Sequence, residues 1–306
     1  MRLRGGVYTI VAFVLTGIVW GAGFLFIRVA MSEFAPVEFV FARTLMASVV
    51  LALIMFVTRR RWPRGWTAWR RIGTLGIVGC AVPFLFYAWA GQRIPSGLSS
   101  IYNAAVPVAT ALVTLVAMRQ ERLGAQKLLA IGIGALGIVV VMQPWRLDAS
   151  EFDVWGQVAC ICAVLGLGFA FSYTRKAISP LGIDPIAVAM GQMLVCTAVL
   201  GAVVPFATVG FRELSLPVIG SLLMSGIFAT GIAYVWNFHV IAQWGAASAS
   251  MVTYLTTLVG VALGIIVLHE PLSLNHFIGA AIVLLGVGVG VRGSRGTVGL
   301  GPAAPG

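Results

Sequence analysis

The sequence predicts an all-α, polytopic membrane protein whose ten transmembrane helices form two inverted five-helix repeats. Three observations carry that reading. Mean hydropathy is +1.01 and only 9% of residues are charged, against roughly a quarter in ordinary soluble domains. The apolar residues fall into runs near the ~20 that a helix needs to cross about 30 Å of hydrocarbon. Lys and Arg crowd every second connection between those runs, which reads out the topology.

The spans follow in order. Span 1, residues 7–30, comes after Arg2 and Arg4 and stops at the polar turn from Glu33 to Pro36. Span 2, 37–57, runs into Arg59, Arg60, Arg61, Arg64, Arg70 and Arg71. Span 3, 72–91, ends before Arg93 and Pro95, and span 4, 97–117, before Arg119, Glu121 and Arg122. Span 5, 126–142, begins beside Lys127 and is closed by Gln143 and Pro144. Span 6, 154–172, leads into Arg175, Lys176 and Pro180; span 7, 185–206, stops short of Arg212 and Glu213. Spans 8 and 9, 217–241 and 246–267, are parted by uncharged Gln243, Trp244 and Gly245, because 217–268 is too long for one crossing. Span 10, 275–291, precedes Arg292 and Arg295.

With the N-terminus inside, the crowded connections are all cytoplasmic. The other face keeps only Arg93, Arg146 and Arg212 among the cations, and most carboxylates: Glu33, Glu38, Asp148, Glu151, Asp153, Glu213 and Glu270. Both termini are therefore expected in the cytoplasm. The net charge of +11 and pI near 10.4 have the same origin, in juxtamembrane cations beside anionic headgroups. Membrane lipid is the expected macroscopic partner and nucleic acid is not. The first run is longer than a signal h-region and carries Trp20 and Arg28, so it reads as a retained helix. Residues 293–306, rich in Gly, Pro and Ala, are expected to be a disordered tail.

Five crossings per half force the second half to be inserted upside down. Residues 1–144 and 145–292 are the expected units. Residues 97–140 laid ungapped on 246–289 pair Ser99 with Ser248, Glu121 with Glu270, Leu123 with Leu272, and Gly137 with Gly286. Span 1 on span 6 pairs Gly21 with Gly168, Phe24 with Phe171 and Arg28 with Arg175. Pro36 and Pro185 open spans 2 and 7, which sets Arg43 opposite Gln192.

These residues carry a family resemblance. Trp20–Gly21 with Phe24 and Arg28, Pro36 with Arg43, Ala104 to Pro107, and the Glu121-x-Leu123 and Glu270-x-Leu272 turns all contribute. In this order the chain resembles, over nearly its whole length, a ten-helix EamA-type member of the drug/metabolite transporter superfamily. One departure is Thr256, where the second half often carries a proline like Pro107; span 9 is therefore expected to be straighter than span 4. The resemblance implies a central cavity lined mainly by spans 1, 3, 4, 6, 8 and 9, with spans 5 and 10 outside. It also implies export of amino acids, related metabolites or drugs across a bacterial-type inner membrane.

Intramembrane charge marks function or a buried structural pairing. Arg43 lies about 10 Å into span 2 at 1.5 Å per residue, either as an anion contact or as a donor to interhelical carbonyls. Arg28 sits a turn from its span end and can snorkel. Aromatic and amide side chains suit an amphipathic solute: Trp20, Phe24, Tyr87, Tyr102, Asn103, Tyr173, Tyr234, Trp236, Asn237 and Tyr254. Tyr87, Tyr102 and Tyr173 also fit an interfacial belt, whereas Trp20 is mid-span. His239 could titrate in a proton-linked cycle or serve as a satisfied interfacial group; His269 and His276 form no ligand pattern with it. Cys80, Cys160, Cys162 and Cys196 read as small apolar fillers. No phosphate-binding glycine loop, acidic pair or nucleophile triad appears, so no cofactor and no catalysis are expected.

Glycines on spans 5 and 10, among them Gly132, Gly137, Gly279 and Gly286, predict close helix packing and leave a homodimer open. Trp62, Trp66 and Trp69 among arginines predict an amphipathic surface segment. The leading function is secondary transport of a small organic solute, such as a neutral or aromatic amino acid, by rocking one repeat against the other. Two competitors are a nucleotide-sugar-type antiporter, which would want a midplane cation cluster, and a lipid-modifying membrane enzyme, which would want convergent acids, bases or metal ligands.

Overall fold

A computed structural model describes residues 2–116, 125–143, 153–207, 214–244 and 252–295, and all regular structure among them is helical. The helices are α1 (Arg2–Ala30), α2 (Pro36–Val57), α3 (Trp66–Gly91), α4 (Ser96–Asn103 with Val106–Val116), α5 (Ala125–Met142) and α6 (Val154–Leu181). They continue as α7 (Pro185–Ala207), α8 (Leu216–Leu223, Met224–Ile232 and Ala233–Trp244 in one run), α9 (Val252–Leu268) and α10 (Leu274–Arg295). Among the described residues six helices are long and apolar enough to cross a membrane unbroken, namely α1, α2, α3, α6, α7 and α8; α4 qualifies as a pair bent by 44°. Shorter apolar stretches follow in α5, α9 and α10. This is a polytopic membrane protein. Its flanks carry the side chains that hydrocarbon tolerates, such as Phe56 and Phe206, 82% and 90% exposed.

Local chemistry explains where the helices start and break. α2 opens with Pro36 at its first position, while Glu38 Oε2 accepts from the Ala35 amide at 3.0 Å. Asp153 caps α6 by accepting from the Gly156 amide. In α4, Pro107 cannot donate to the Asn103 carbonyl, and the chain tightens instead through Ala104 N to Ile101 O and Ala105 N to Tyr102 O. The described part of span 9, α9 with Thr256 where a proline was in question, is a continuous α-helix over Val252–Leu268; residues 245–251, the counterpart of the first half of α4, lie outside the described residues. Among the described residues three helices contain π segments: Ile77–Ala81 in α3, Thr174–Ile178 in α6 and Met224–Ile232 in α8.

α1 packs along α8 and α9, and α6 along α3 and α4; α2 meets α7 and α8, α7 meets α3, and α5 pairs with α10. Backbone closeness at glycine permits this. A Cβ on Gly21 would lie 2.7 Å from the Thr256 carbonyl, and one on Gly168 2.7 Å from the Ala109 backbone. Gly137 and Gly279 are similarly closed on Val283 and Val141 across the α5–α10 seam. The cysteines pack: Cys80 against Met193, Cys160 against Ser99.

At one end of the bundle, polar ties join the connections. Glu270 follows His269, whose φ of 52° lies in the left-handed region. Its carboxylate accepts from Ser96 N at 2.6 Å, Gly97 N at 2.9 Å and Ser96 Oγ at 3.0 Å, capping α4. Arg93 pairs with Asp153 at 3.3 Å and lies 3.5 Å over Trp89. The Ser215 amide donates to Glu33, which holds that carboxyl below its usual range. The opposite end carries the Arg60–Asp184 ion pair and the Arg71 bond to the Ala177 carbonyl. There Trp66 is 79% exposed, and Trp69 donates to the Pro63 carbonyl. Arg119, Glu121, Arg122, Arg146, Asp148, Glu151, Arg212, Glu213 and residues 296–306 lie outside the described residues.

Candidate functional site

Where α1, α3, α4, α6, α8 and α9 converge, they leave a cavity of about 130 Å³, and Arg43 reaches into it from α2. Six of the residues expected at a solute site line it: Trp20, Phe24, Arg43, Tyr87, Asn103 and Tyr234.

Two local breaks shape its wall. The π segment of α8 frees backbone carbonyls from their regular partners, and side chains take them up. Trp20 Nε1 donates to Ala229 O at 2.8 Å, and Thr230 Oγ1 to Ser225 O at 2.8 Å. Thr230 Oγ1 in turn accepts from Arg43 Nε at 2.6 Å. The guanidinium carbon lies 4.4 Å over the Phe84 ring. Opposite, the bend in α4 sets Asn103 at the wall, where its Oδ1 accepts from the Tyr87 hydroxyl at 3.2 Å. Phe24 meets Tyr87 edge-on at 5.4 Å, and Trp20 meets Tyr234 at 5.9 Å. The result is an aromatic box with one cation and a few hydroxyl and amide tips.

The other expected residues point elsewhere, and helix geometry gives the reason. Neighbouring residues on a helix diverge by about 100°, so a large side chain next to a wall residue is commonly turned off the wall. Tyr102, beside Asn103, is buried against α6 and donates to Gln157 Oε1 at 2.7 Å. Thr253 and Thr256 line the cavity, whereas Tyr254 between them does not. Trp236, two residues past Tyr234, packs with Ala12, Phe13 and Val240. Asn237 is buried a turn further along α8. His239 Nε2 lies 3.1 Å from Thr9 Oγ1 and its ring 4.7 Å from Tyr8, an interfacial contact between α8 and α1. Tyr173 stacks on Phe169 at 5.2 Å, and Arg28 donates to the Gly91 carbonyl.

Conversely, Gly23, Ile27, Phe84, Val106, Leu167, Phe171, Ala229, Thr253 and Thr256 line the cavity without having been singled out. Most are apolar, so polarity does not flag them. The internal alignment does flag two, because Leu167 and Phe171 stand opposite Trp20 and Phe24 in the repeat.

A larger groove of about 710 Å³ lies on the flank between α2, α3 and α6, lined by residues such as Leu85, Phe86, Trp89 and Trp155. It holds no charged or hydroxyl side chain to orient a polar solute, so the smaller central cavity is the better candidate.

Comparison with known proteins gives concordant results. The family described as EamA-like transporter family matches residues 7–143 and, separately, residues 154–291. A protein of Archaeoglobus fulgidus named as an uncharacterized transporter is 27% identical over 282 residues, covering 91% of this chain and 96% of its own length. An Escherichia coli protein, named as the uncharacterized inner membrane transporter YedA, is 24% identical across 88% of this chain and 86% of its own. A solved crystal structure superposes with a TM-score of 0.65 at 16% identity, covering 95% of this chain and 99% of that one, a likeness of fold.

Proposed function

This chain belongs to the EamA-like transporter family and is a membrane transporter, not an enzyme; on that premise we propose that it exports small organic metabolites across a bacterial-type inner membrane by alternating access around the central cavity. Ten crossings in two inverted halves, both termini cytoplasmic, are part of the proposal. The solutes are of the class of neutral or aromatic amino acids and similarly amphipathic molecules.

One observation carries the reading: residues paired by the internal repeat meet at one chamber. Trp20 and Leu167 both line it, as do Phe24 and Phe171. The helix contacts support the same two-fold relation, since α1 lies on α9 as α6 lies on α4. So do the close approaches: Gly76 is closed on the Gln192 carbonyl and Gly226 on the Arg43 carbonyl, where Arg43 and Gln192 are repeat partners. A separate match of the family to each half supports it again. Rocking such halves about a midplane site exposes it to each side in turn. An antiporter for nucleotide sugars suits the chamber less well, because one guanidinium is a poor match for a diphosphate.

Proteoliposomes preloaded with labelled phenylalanine or leucine are expected to lose label faster with the protein than without it. Equal loss across a panel of neutral and aromatic amino acids and their derivatives would remove the assignment.

A further inference from the structure

The chamber is electrically one-sided. Arg43 is 9% exposed, deep in α2, and its guanidinium stays protonated at any accessible pH. Its contacts, the Thr230 hydroxyl at Nε and the Phe84 ring beneath, are both uncharged. No carboxylate comes within ion-pair reach of it among the described residues, and no Asp or Glu lines the cavity. In the full sequence all nine carboxylates fall in connections or, for Glu38, in a first helical turn. A desolvated cation held in place without a counter-charge is costly, and an arriving anion relieves that cost. Two contacts fix the guanidinium plane, so its remaining N–H groups can serve a carboxylate side-on.

An ammonium meets the opposite situation. It would enter a small space that already holds a cation, with hydroxyl and amide oxygens as its polar partners. Asn103 Oδ1 is already engaged by Tyr87, and Thr256 Oγ1 donates back to the Val252 carbonyl. The ring faces of Trp20, Phe24 and Phe171 attract a cation, but less than dehydrating an ammonium costs.

From this, and resting on the reading of the cavity as the solute chamber, we infer that the protein recognises its solute by a carboxylate at Arg43 and, among the amphipathic solutes proposed above, favours organic monoanions with an apolar or aromatic body over zwitterionic amino acids, whose α-ammonium counts against binding. Glu38 is the one Asp or Glu within an apolar run, and it caps the start of α2 rather than lining the chamber, so no carboxylate at the chamber is placed to carry a proton with the solute. The anion itself carries the transported charge, so an inside-negative potential favours its export.

Three probes share one phenyl-ethyl body and differ in their charged ends: 3-phenylpropionate, phenylalanine and phenethylamine. In proteoliposomes, 3-phenylpropionate is expected to half-saturate at a concentration roughly tenfold below phenylalanine's, the cost of bringing the ammonium into the chamber, with phenethylamine inert. Arg43→Gln should erase the order, and Arg43→Lys should restore part of it. An imposed potential should shift the steady-state distribution of 3-phenylpropionate by roughly fifty-fold per 100 mV and leave that of phenylalanine unmoved. Phenethylamine or phenylalanine handled as well as 3-phenylpropionate overturns the inference, and so does a 3-phenylpropionate flux indifferent to potential. Both can be read on the unaltered protein should the Arg43 variants fail to fold. Failure of all three probes to bind or cross would instead count against the chamber itself.

Discussion

Trp20→Ala is expected to cut efflux by at least roughly tenfold while membrane abundance stays near that of the parent protein. The indole makes one hydrogen bond, to the Ala229 carbonyl, and such a bond is worth about 1 kcal/mol net. Its ring forms one wall of the chamber and touches Tyr234 edge-on. Removing it enlarges a space that is already open, so the void term that makes core truncations expensive is small here. What is lost is the surface that, on the proposed function, holds a solute between α1 and α8. Trp20→Phe should fall between the two, because it keeps the wall and drops the N–H. Quantifying the protein in membranes beside the efflux rate checks the argument. If the alanine variant disappears from the membrane, Trp20 is a packing residue and the wall must be sought elsewhere.

Two glycines on the same helix should behave in opposite ways. Gly21 faces α9, where an added Cβ would sit 2.7 Å from both the Thr256 carbonyl oxygen and Val259 Cβ. Backbone cannot step aside as a flexible side-chain tip can, so Gly21→Val must push α1 off α9. Overpacking costs about 1–3 kcal/mol even where neighbours relax; here a loss of folded protein is expected. Gly23 lines the chamber with nothing within 4 Å of its Cβ position. Gly23→Val should therefore fold and reach the membrane, yet transport poorly, because two methyl groups then occupy a cavity of about 130 Å³. Thermal unfolding in detergent and flux in vesicles, measured on both variants, decide it. A stable Gly21→Val or an unstable Gly23→Val contradicts the packing described.

Hydropathy located the helices well and their ends less well. α3 begins at Trp66, six residues before the apolar run at 72, because the amphipathic Trp segment and the span form one continuous helix. α6 runs on to Leu181 through π and 3-10 turns, past the predicted end of span 6 at 172. A hydropathy window sees where lipid is tolerated; backbone hydrogen bonds extend into the interface regardless. The break in α4 was signalled by Pro107, whereas no residue pattern announces an i→i+5 turn, and the α8 segment that receives Trp20 and Arg43 was invisible. Position along a helix could be read residue by residue, but direction around it could not. That is why Asn103 and Tyr234 lie at the chamber while their neighbours Tyr102 and Trp236 do not. Phe171 was legible in principle, through its repeat partner Phe24.

Glu270 gives this conformation a definite character. Its carboxylate ties the connection after α9 to the first turn of α4 through three donors at once. Any swing that parts those two segments must strip all three hydrogen bonds at once, at a cost on the order of a few kcal/mol before water compensates. The arrangement is thus a clasp between α4 and the connection after α9; under the proposed alternating access, a move that parts those two segments begins with that carboxylate letting go.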